Sequence, residues 1–325
     1  MEKAGAADER VLSCAVDSGR AGLTLSAFLA SRFPYRSEPQ WAAMAAAGAV
    51  LVNGGPAAAG MVLSAGYEVR YRPASAKEPP VDGRVAVLYE DADIMVVNKS
   101  GNLPVHPAGR YFRNTLWRIL REELGVPEPS IINRLDRETS GVVLAARNRA
   151  AAAACRLQFD RREVGKAYLV LTEGGPAAPL RAAGYMTACA GSAIRKKRLF
   201  VPSASPAPEP GRASDWAETF FTPLRAAGEL RLLRAEPRTG RLHQIRATLL
   251  ALGWPVAGDK MYGRDEGLFL RFLSDGFTPE DRASLRIGRQ ALHASELSFR
   301  HPSDGRRMSV KAPLPADMAA LCGEI

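Results

Sequence analysis

The spacing of apolar residues changes period along this chain, and each change marks an element. From Leu23 to Phe33 apolar residues return every three or four positions, with Leu25, Phe28 and Leu29 on one side, which predicts an amphipathic helix. Glu38 to Ala47 predicts a second helix, closed by Gly48 as its C-terminal stop. Val50-Leu51-Val52 is a short apolar run meeting Asn53-Gly54-Gly55, the pattern of a strand entering a tight turn. Tyr67 to Tyr71 alternates and predicts another strand. The first ten or so residues form a loose tail, and Pro73 to Pro80 (PASAKEPP) has the composition of a linker. A small domain over 10–73, a linker over 74–81 and a larger domain over 82–325 follow.

In the larger domain, strands are expected at Val85 to Tyr89, Ile94 to Val97, Gly141 to Ala146, Ala167 to Thr172 and Glu229 to Ala235. Helices are expected at Thr115 to Glu123, Asn148 to Asp160 and Leu242 to Leu252. Thr278-Pro279-Glu280-Asp281 carries a cap residue, a first-turn proline and first-turn acids, and starts another helix. Pro202 to Arg212 (PSASPAPEPGR) reads as a flexible loop or insertion. Several strands follow one another with no helix between them. That order predicts an α+β fold on a mixed, largely antiparallel sheet rather than a doubly wound one. The chain contains no internal repeat.

Composition narrows the function. The 325 residues are 46% hydrophobic and 24% charged, an ordinary globular balance that excludes wholesale disorder. The formal charge is +10, and the sequence pI near 9.7 favours an anionic partner, nucleic acid before an acidic membrane. Cys14, Cys155, Cys189 and Cys322 are scattered, with no metal or redox spacing, which fits a reducing cytoplasm. The start MEKAGAADER lacks the apolar stretch of a signal peptide, and Trp41 to Val50 is too short and weakly apolar to span a bilayer. The four histidines have no zinc-like spacing, so neither metal nor membrane is expected.

Two polar segments sit between apolar runs. In Asn133-Arg134-Leu135-Asp136-Arg137-Glu138-Thr139-Ser140-Gly141, Arg134 and Asp136 are two apart, so an extended chain sends both to one side. A carboxylate among arginines stays ionised and suits a nucleophile or an electrostatic stabiliser; a strand-entry turn capped by the aspartate is the structural alternative. Gly240-Arg241-Leu242-His243-Gln244-Ile245-Arg246 opens a helix, and its amides and two arginines offer an anion site. His243 is either a base or a structural histidine. The basic run Arg195-Lys196-Lys197-Arg198 is either a solvated hairpin tip or a set of phosphate contacts.

Taken together, these segments resemble the RluA-type pseudouridine synthases. Asn133 to Gly141 resembles that family's HRLDxxTSG motif, Lys166-Ala167-Tyr168 its K-x-Y motif, and Thr239 to Arg246 with Gly253 to Asp259 and Tyr262-Gly263 its third motif. Tyr89-Glu90-Asp91, Val96-Val97-Asn98-Lys99, Val105-His106-Pro107 and Gln290 to Ala294 match in the family's order, over roughly 85–320. Residues 18–73, with LVNGG, resemble the small S-four-like RNA-binding module often fused in front. The resemblance implies the pseudouridine synthase fold and a set of roles. Asp136 is the catalytic aspartate, Tyr168 the stacking residue proposed to take the C5 proton, and Arg246 the partner of the aspartate. Arg134 fills the space left by the flipped uridine; apart from the resemblance, charge alone makes Arg241, Arg195, Lys196 and Lys197 candidate RNA contacts.

Three positions depart from the family. Asn133 stands for its usual His, Thr248 replaces a His after the third-motif arginine, and Arg36 to Met44 is poorly charged for an RNA-facing helix. The expectation is a cytoplasmic, monomeric, cofactor-free isomerase acting on uridine in structured RNA, ribosomal RNA ahead of transfer RNA. A non-catalytic RNA-binding assembly factor on the same fold is the rival. A carbohydrate hydrolase would need a second carboxylate, for which Glu138 is a poor candidate.

Overall fold

A computed structural model describes residues 12–33, 36–71, 78–205, 207, 211, 215–263, 265–273 and 276–323. The expected tail, most of the linker and part of the 202–212 loop lie outside the described residues. The chain divides into two compact units, Met1–Glu78 and Pro79–Ile325. The carbonyls of Pro79 and Pro80 accept hydrogen bonds from Asn114 and Asn102, so the end of the proline-rich stretch belongs to the second unit.

The first unit contains β1 (Leu12–Ala15), α1 (Leu25–Arg32), α2 (Glu38–Ala46), β2 (Val50–Val52), β3 (Gly55–Pro56) and β4 (Glu68–Tyr71). The strands form one antiparallel sheet in the order β1-β4-β2-β3. Thr24 caps α1 by accepting from the Ala27 amide at 3.3 Å. Asn53 and Gly54 both have positive φ, as the β2–β3 turn requires. Leu25, Phe28, Leu29, Trp41 and Val50 are fully buried, and Trp41 meets Tyr71 edge-on at 5.0 Å. Arg36 lies over the Trp41 ring and Glu38 accepts from Ser26, so the two charges near the start of α2 have partners within the unit.

The second unit runs β5 (Val85–Glu90), β6 (Ile94–Lys99), α3 (Leu116–Glu122), β7 (Ser130–Ile131), β8 (Ser140–Ala146), α4 (Arg149–Asp160), β9 (Gly165–Glu173), β10 (Leu180–Ala188), β11 (Arg198–Pro202), β12 (Trp216–Ala227), β13 (Leu230–Pro237), α5 (Gln244–Ala251), α6 (Gly267–Leu273), α7 (Pro279–Ser284), β14 (Leu292–Arg300), β15 (Arg307–Lys311) and α8 (Ala316–Cys322). One sheet holds all eleven strands, in the order β11-β10-β12-β13-β9-β14-β8-β6-β5, with β15 beside β14 and β7 beside β8. Every pairing is antiparallel except β8 with β14, where Ser140 faces His293 and Gly141 faces Ala294. The mixed, mostly antiparallel sheet is the expected one. Strand β8 is buried at all seven positions, which explains its continuous apolar sequence. At its start Gly141 has φ 115°, and a Cβ there would lie 2.2 Å from the Ala294 carbonyl oxygen, so β14 approaches this closely only because position 141 is glycine.

Candidate active site

Asp136 lies in the loop that feeds β8, and three sets of bonds fix that loop. Lys99, the fully buried end of β6, donates from Nζ to the carbonyls of Ser100 (2.8 Å), Leu103 (2.9 Å) and Arg137 (3.1 Å). Asn133 donates to the Val142 carbonyl and accepts from the Leu144 amide, which stitches the loop to β8. Glu138 accepts from Lys260 Nζ (2.9 and 3.1 Å) and from the Gln290 amide (3.2 Å). These bonds commit the Glu138 carboxylate to structure.

Arg246 stands in the first turn of α5. Its Nη1 donates to Asp136 Oδ2 at 2.6 Å, while Nε and Nη2 fork onto Asp259 at 2.6 and 2.8 Å. Asp259 also accepts from the amides of Met261 and Tyr262, and the Tyr262 ring lies 4.8 Å from the guanidinium carbon. The side chains of Arg246 and Asp259 are 7% and 0% exposed, against 30% for Asp136. The arginine thus bridges two carboxylates, one sealed and one open. Burial alone would raise the Asp136 pKa, but the charge of Arg246, helped by His243, outweighs it and holds the carboxyl below its ordinary value.

The polar turn before α5 is held from within. Gln244 Oε1 accepts from Thr239 Oγ1 and the Arg241 amide, and its Nε2 donates to the Glu218 carbonyl and Thr219 Oγ1. His243 takes a left-handed backbone, φ 57°. Its Nδ1 is 2.9 Å from the Tyr262 hydroxyl, and its Nε2 is 3.8 Å from Asp136 Oδ1. Burial lowers its pKa against the pull of Asp136. The Gln244 amide is taken by the Arg241 carbonyl. The Arg246 side chain, rather than the helix amides, is the cation that meets Asp136.

Tyr168 lies on β9 between Ala235 and Ala294, and its hydroxyl has no hydrogen bond among the described residues. Burial, and then the charge of Asp136, push its pKa up to about 12. Both effects favour the neutral phenol, which runs against the expectation of a hydroxyl ready to take a proton. Arg134 is exposed, and burial first and then the Arg134 charge lower the His106 pKa. Arg241 donates from Nε to the Trp216 carbonyl at 3.0 Å. The basic run divides: Arg195 and Lys196 are exposed, with the Lys196 charge reaching His243, while Lys197 pairs with Glu266 at 2.6 Å. Lys197 is therefore a neutralised cation, not the free phosphate contact expected of it.

Asp259, Gln290 and Lys260 join this network without having been singled out in the sequence. Gln290 donates to Thr139 Oγ1 and lies 3.5 Å from Asp136 Oδ2. Asp259 and Gln290 sit inside family-like segments, and that was their only signal. Of the departures, Asn133 has a bridging role, whereas the buried Thr248 hydroxyl has no hydrogen-bond partner among the described residues.

The chain is similar to known proteins in sequence and in fold. Residues 93–251 match the family described as RNA pseudouridylate synthase. Ribosomal large subunit pseudouridine synthase D of Zymomonas mobilis is 30% identical over 77% of this chain and 75% of its own length. The mitochondrial tRNA pseudouridine(32) synthase of Saccharomyces cerevisiae is 36% identical over 58% of this chain and 39% of its own. The structure of human RNA Pseudouridylate Synthase Domain Containing 1 superposes with a TM-score of 0.57 at 25% identity, covering 76% of this chain and 91% of that one.

Proposed function

This chain belongs to the RNA pseudouridylate synthase family, and from that premise we propose that it isomerises uridine in large-subunit ribosomal RNA with Asp136 as its catalytic carboxylate. The observation that carries the reading is a carboxylate with one oxygen clamped by Arg246 and the other accepting no hydrogen bond among the described residues. The reaction breaks N1–C1′, turns the uracil and joins C5 to C1′; the C5 proton leaves and N1 takes up a proton. No redox or phosphoryl step enters that balance. The target base must first leave its stack, at a cost of a few kcal/mol.

An ionised Asp136 acts at the ribose, either by attack at C1′ or by taking the 2′ proton. Arg246 keeps it ionised, and Asp259 holds Arg246 in the orientation that leaves Oδ1 open. Tyr168 supplies an apolar ring beside the carboxylate and a hydroxyl that enters as a donor. Arg134, exposed at the loop, fills the space left by the flipped base. The first unit serves as an accessory RNA-holding module.

Ribosomal RNA is favoured by the Zymomonas relative, whose match spans most of both chains. The yeast relative supports transfer RNA as the second reading over a smaller share. The test is to incubate the protein with transcripts of both RNAs and map pseudouridines. Sites confined to ribosomal RNA are expected. Sites confined to transfer RNA would overturn the substrate assignment.

A further inference from the structure

His243 caps α5 from a left-handed backbone, φ 57°, a conformation that residues other than glycine seldom adopt. Residues held this way cluster where geometry serves function. The turn aims the ring between two partners. On one side, Nδ1 lies 2.9 Å from the Tyr262 hydroxyl, and the two rings meet edge-on at 5.5 Å. On the other, Nε2 faces Asp136 Oδ1 at 3.8 Å, too far for a hydrogen bond. Neither Nε2 nor Oδ1 has a hydrogen bond among the described residues.

Tyr262, itself fully buried, decides where the imidazole proton sits. Its oxygen accepts from the Arg198 amide at 2.8 Å, and its own O–H has one acceptor among the described residues, His243 Nδ1. A ring that accepts at Nδ1 carries its proton on Nε2. A donor therefore faces an acceptor across a gap that neither closes. An oxygen about 2.8 Å from both atoms fits between them. It must accept from Nε2–H and donate to a carboxylate, which a hydroxyl or a water does. Inside an RNA chain the 3′ and 5′ oxygens of each ribose are esterified, and the hydroxyl left free is the 2′-hydroxyl, next to C1′.

We propose that His243 donates from Nε2 to the 2′-hydroxyl of the target uridine, which donates in turn to Asp136 Oδ1, and that this contact selects ribose over deoxyribose. The contact rests on the reading of Asp136 as the centre of uridine isomerisation. Tyr262 is its positioning residue, because it fixes the tautomer of the ring.

The test compares full-length wild-type protein with His243→Asn, His243→Phe and His243→Gln. Asn keeps a partner for Tyr262 at the Nδ1 position, Phe keeps the ring, and Gln alone keeps a donor at the Nε2 position. Binding is measured to a ribosomal RNA fragment that already carries pseudouridine, or 2′-deoxypseudouridine, at the mapped position, so that no turnover intervenes. Wild type should prefer the ribose form. Asn and Phe should each reduce that preference by about tenfold, the effect of one lost hydrogen bond, and Gln should keep it. Pseudouridine formation on the unmodified transcript should fall in the same order, with Asn and Phe below Gln. No ribose preference in the wild type, a preference unchanged in Asn and Phe, or one lost equally in Gln, would overturn the contact while leaving Asp136 in place. A wild-type protein that forms no pseudouridine in either RNA would overturn the reading of Asp136, and the contact with it.

Discussion

Two aspartates of the second unit, Asp136 and Asp91, are both held ionised, yet by opposite means. Asp91 accepts from the Asp93 and Ile94 amides on one oxygen, and from the Tyr89 hydroxyl and His301 Nε2 on the other. Burial would raise its pKa, and these hydrogen bonds more than reverse it. Its acceptor positions are filled. Asp93 and His301 bring ligand atoms within 4.8 Å of Asp91, but the donors around Asp91 already occupy that carboxylate. Asp136 instead relies on the charge of one buried arginine and leaves Oδ1 unused. A fully satisfied carboxylate fastens a turn, whereas a charge-clamped one with a spare oxygen is available for chemistry.

The largest break in this contrast is Asp136→Asn. The amide is nearly isosteric and still accepts from Arg246, so folding should persist. Release of tritium from C5-labelled uridine RNA should fall by more than about a thousandfold. Substantial turnover in the folded variant would return Asp136 to a structural role.

Next in size is Asp259→Asn, which strips Arg246 of its sealed counter-charge. Breaking a buried ion pair costs about 3–5 kcal/mol, to be read from denaturant unfolding. Arg246→Lys should unfold less readily than Asp259→Asn but lose rate, because the planar fork is gone.

Tyr168→Phe sharpens the question of proton transfer. Turnover should drop while RNA affinity holds. In the wild type, a phenol held at a pKa of about 12 predicts no rise in rate that tracks its ionisation between pH 7 and 10. A rate climbing through that interval with Tyr168, and flat with Phe, would restore the phenolate base.

Asp91→Asn should leave turnover intact and cost about 1–3 kcal/mol of stability. A depressed pKa stabilises the fold above the ordinary aspartate value near 3.9 and loses that contribution as pH falls. The gap between wild type and Asp91→Asn should therefore narrow below about pH 4 in acid-unfolding curves. The smallest effect is expected from removing residues 1–78. A fragment beginning at Pro79 should fold and retain chemistry at saturating RNA, with modestly weaker binding in a salt series.

Contiguous features were legible in the sequence, and long-range ones were not. The helices around Leu25 and Ala151, the NGG turn and the apolar β8 follow from local periodicity. Asp136, Tyr168 and Arg246 stood out through short motifs. Strand β10, LRAAGYMTA, went unnoticed because it is buried through five consecutive positions of small and mixed residues, which breaks alternation. Strand β12 carries Pro223 at a register shift, which masks a 12-residue strand. The Asp91–His301 pair and the Glu138–Lys260 pair join residues 210 and 122 apart, and no local pattern encodes either.

The parallel contact of β8 with β14 sets a timetable for folding. Ser140, which bonds His293 at 2.9 Å, must wait for a partner 153 residues later in the chain. Closing so long a loop lowers the entropy of the unfolded chain before any contact rewards it, which slows assembly. The loop bearing Asp136 is thus locked only after synthesis has passed Ala294. A chain interrupted before that point would carry Asp136, Tyr168 and Arg246 but not the strand that fixes the Asp136 loop.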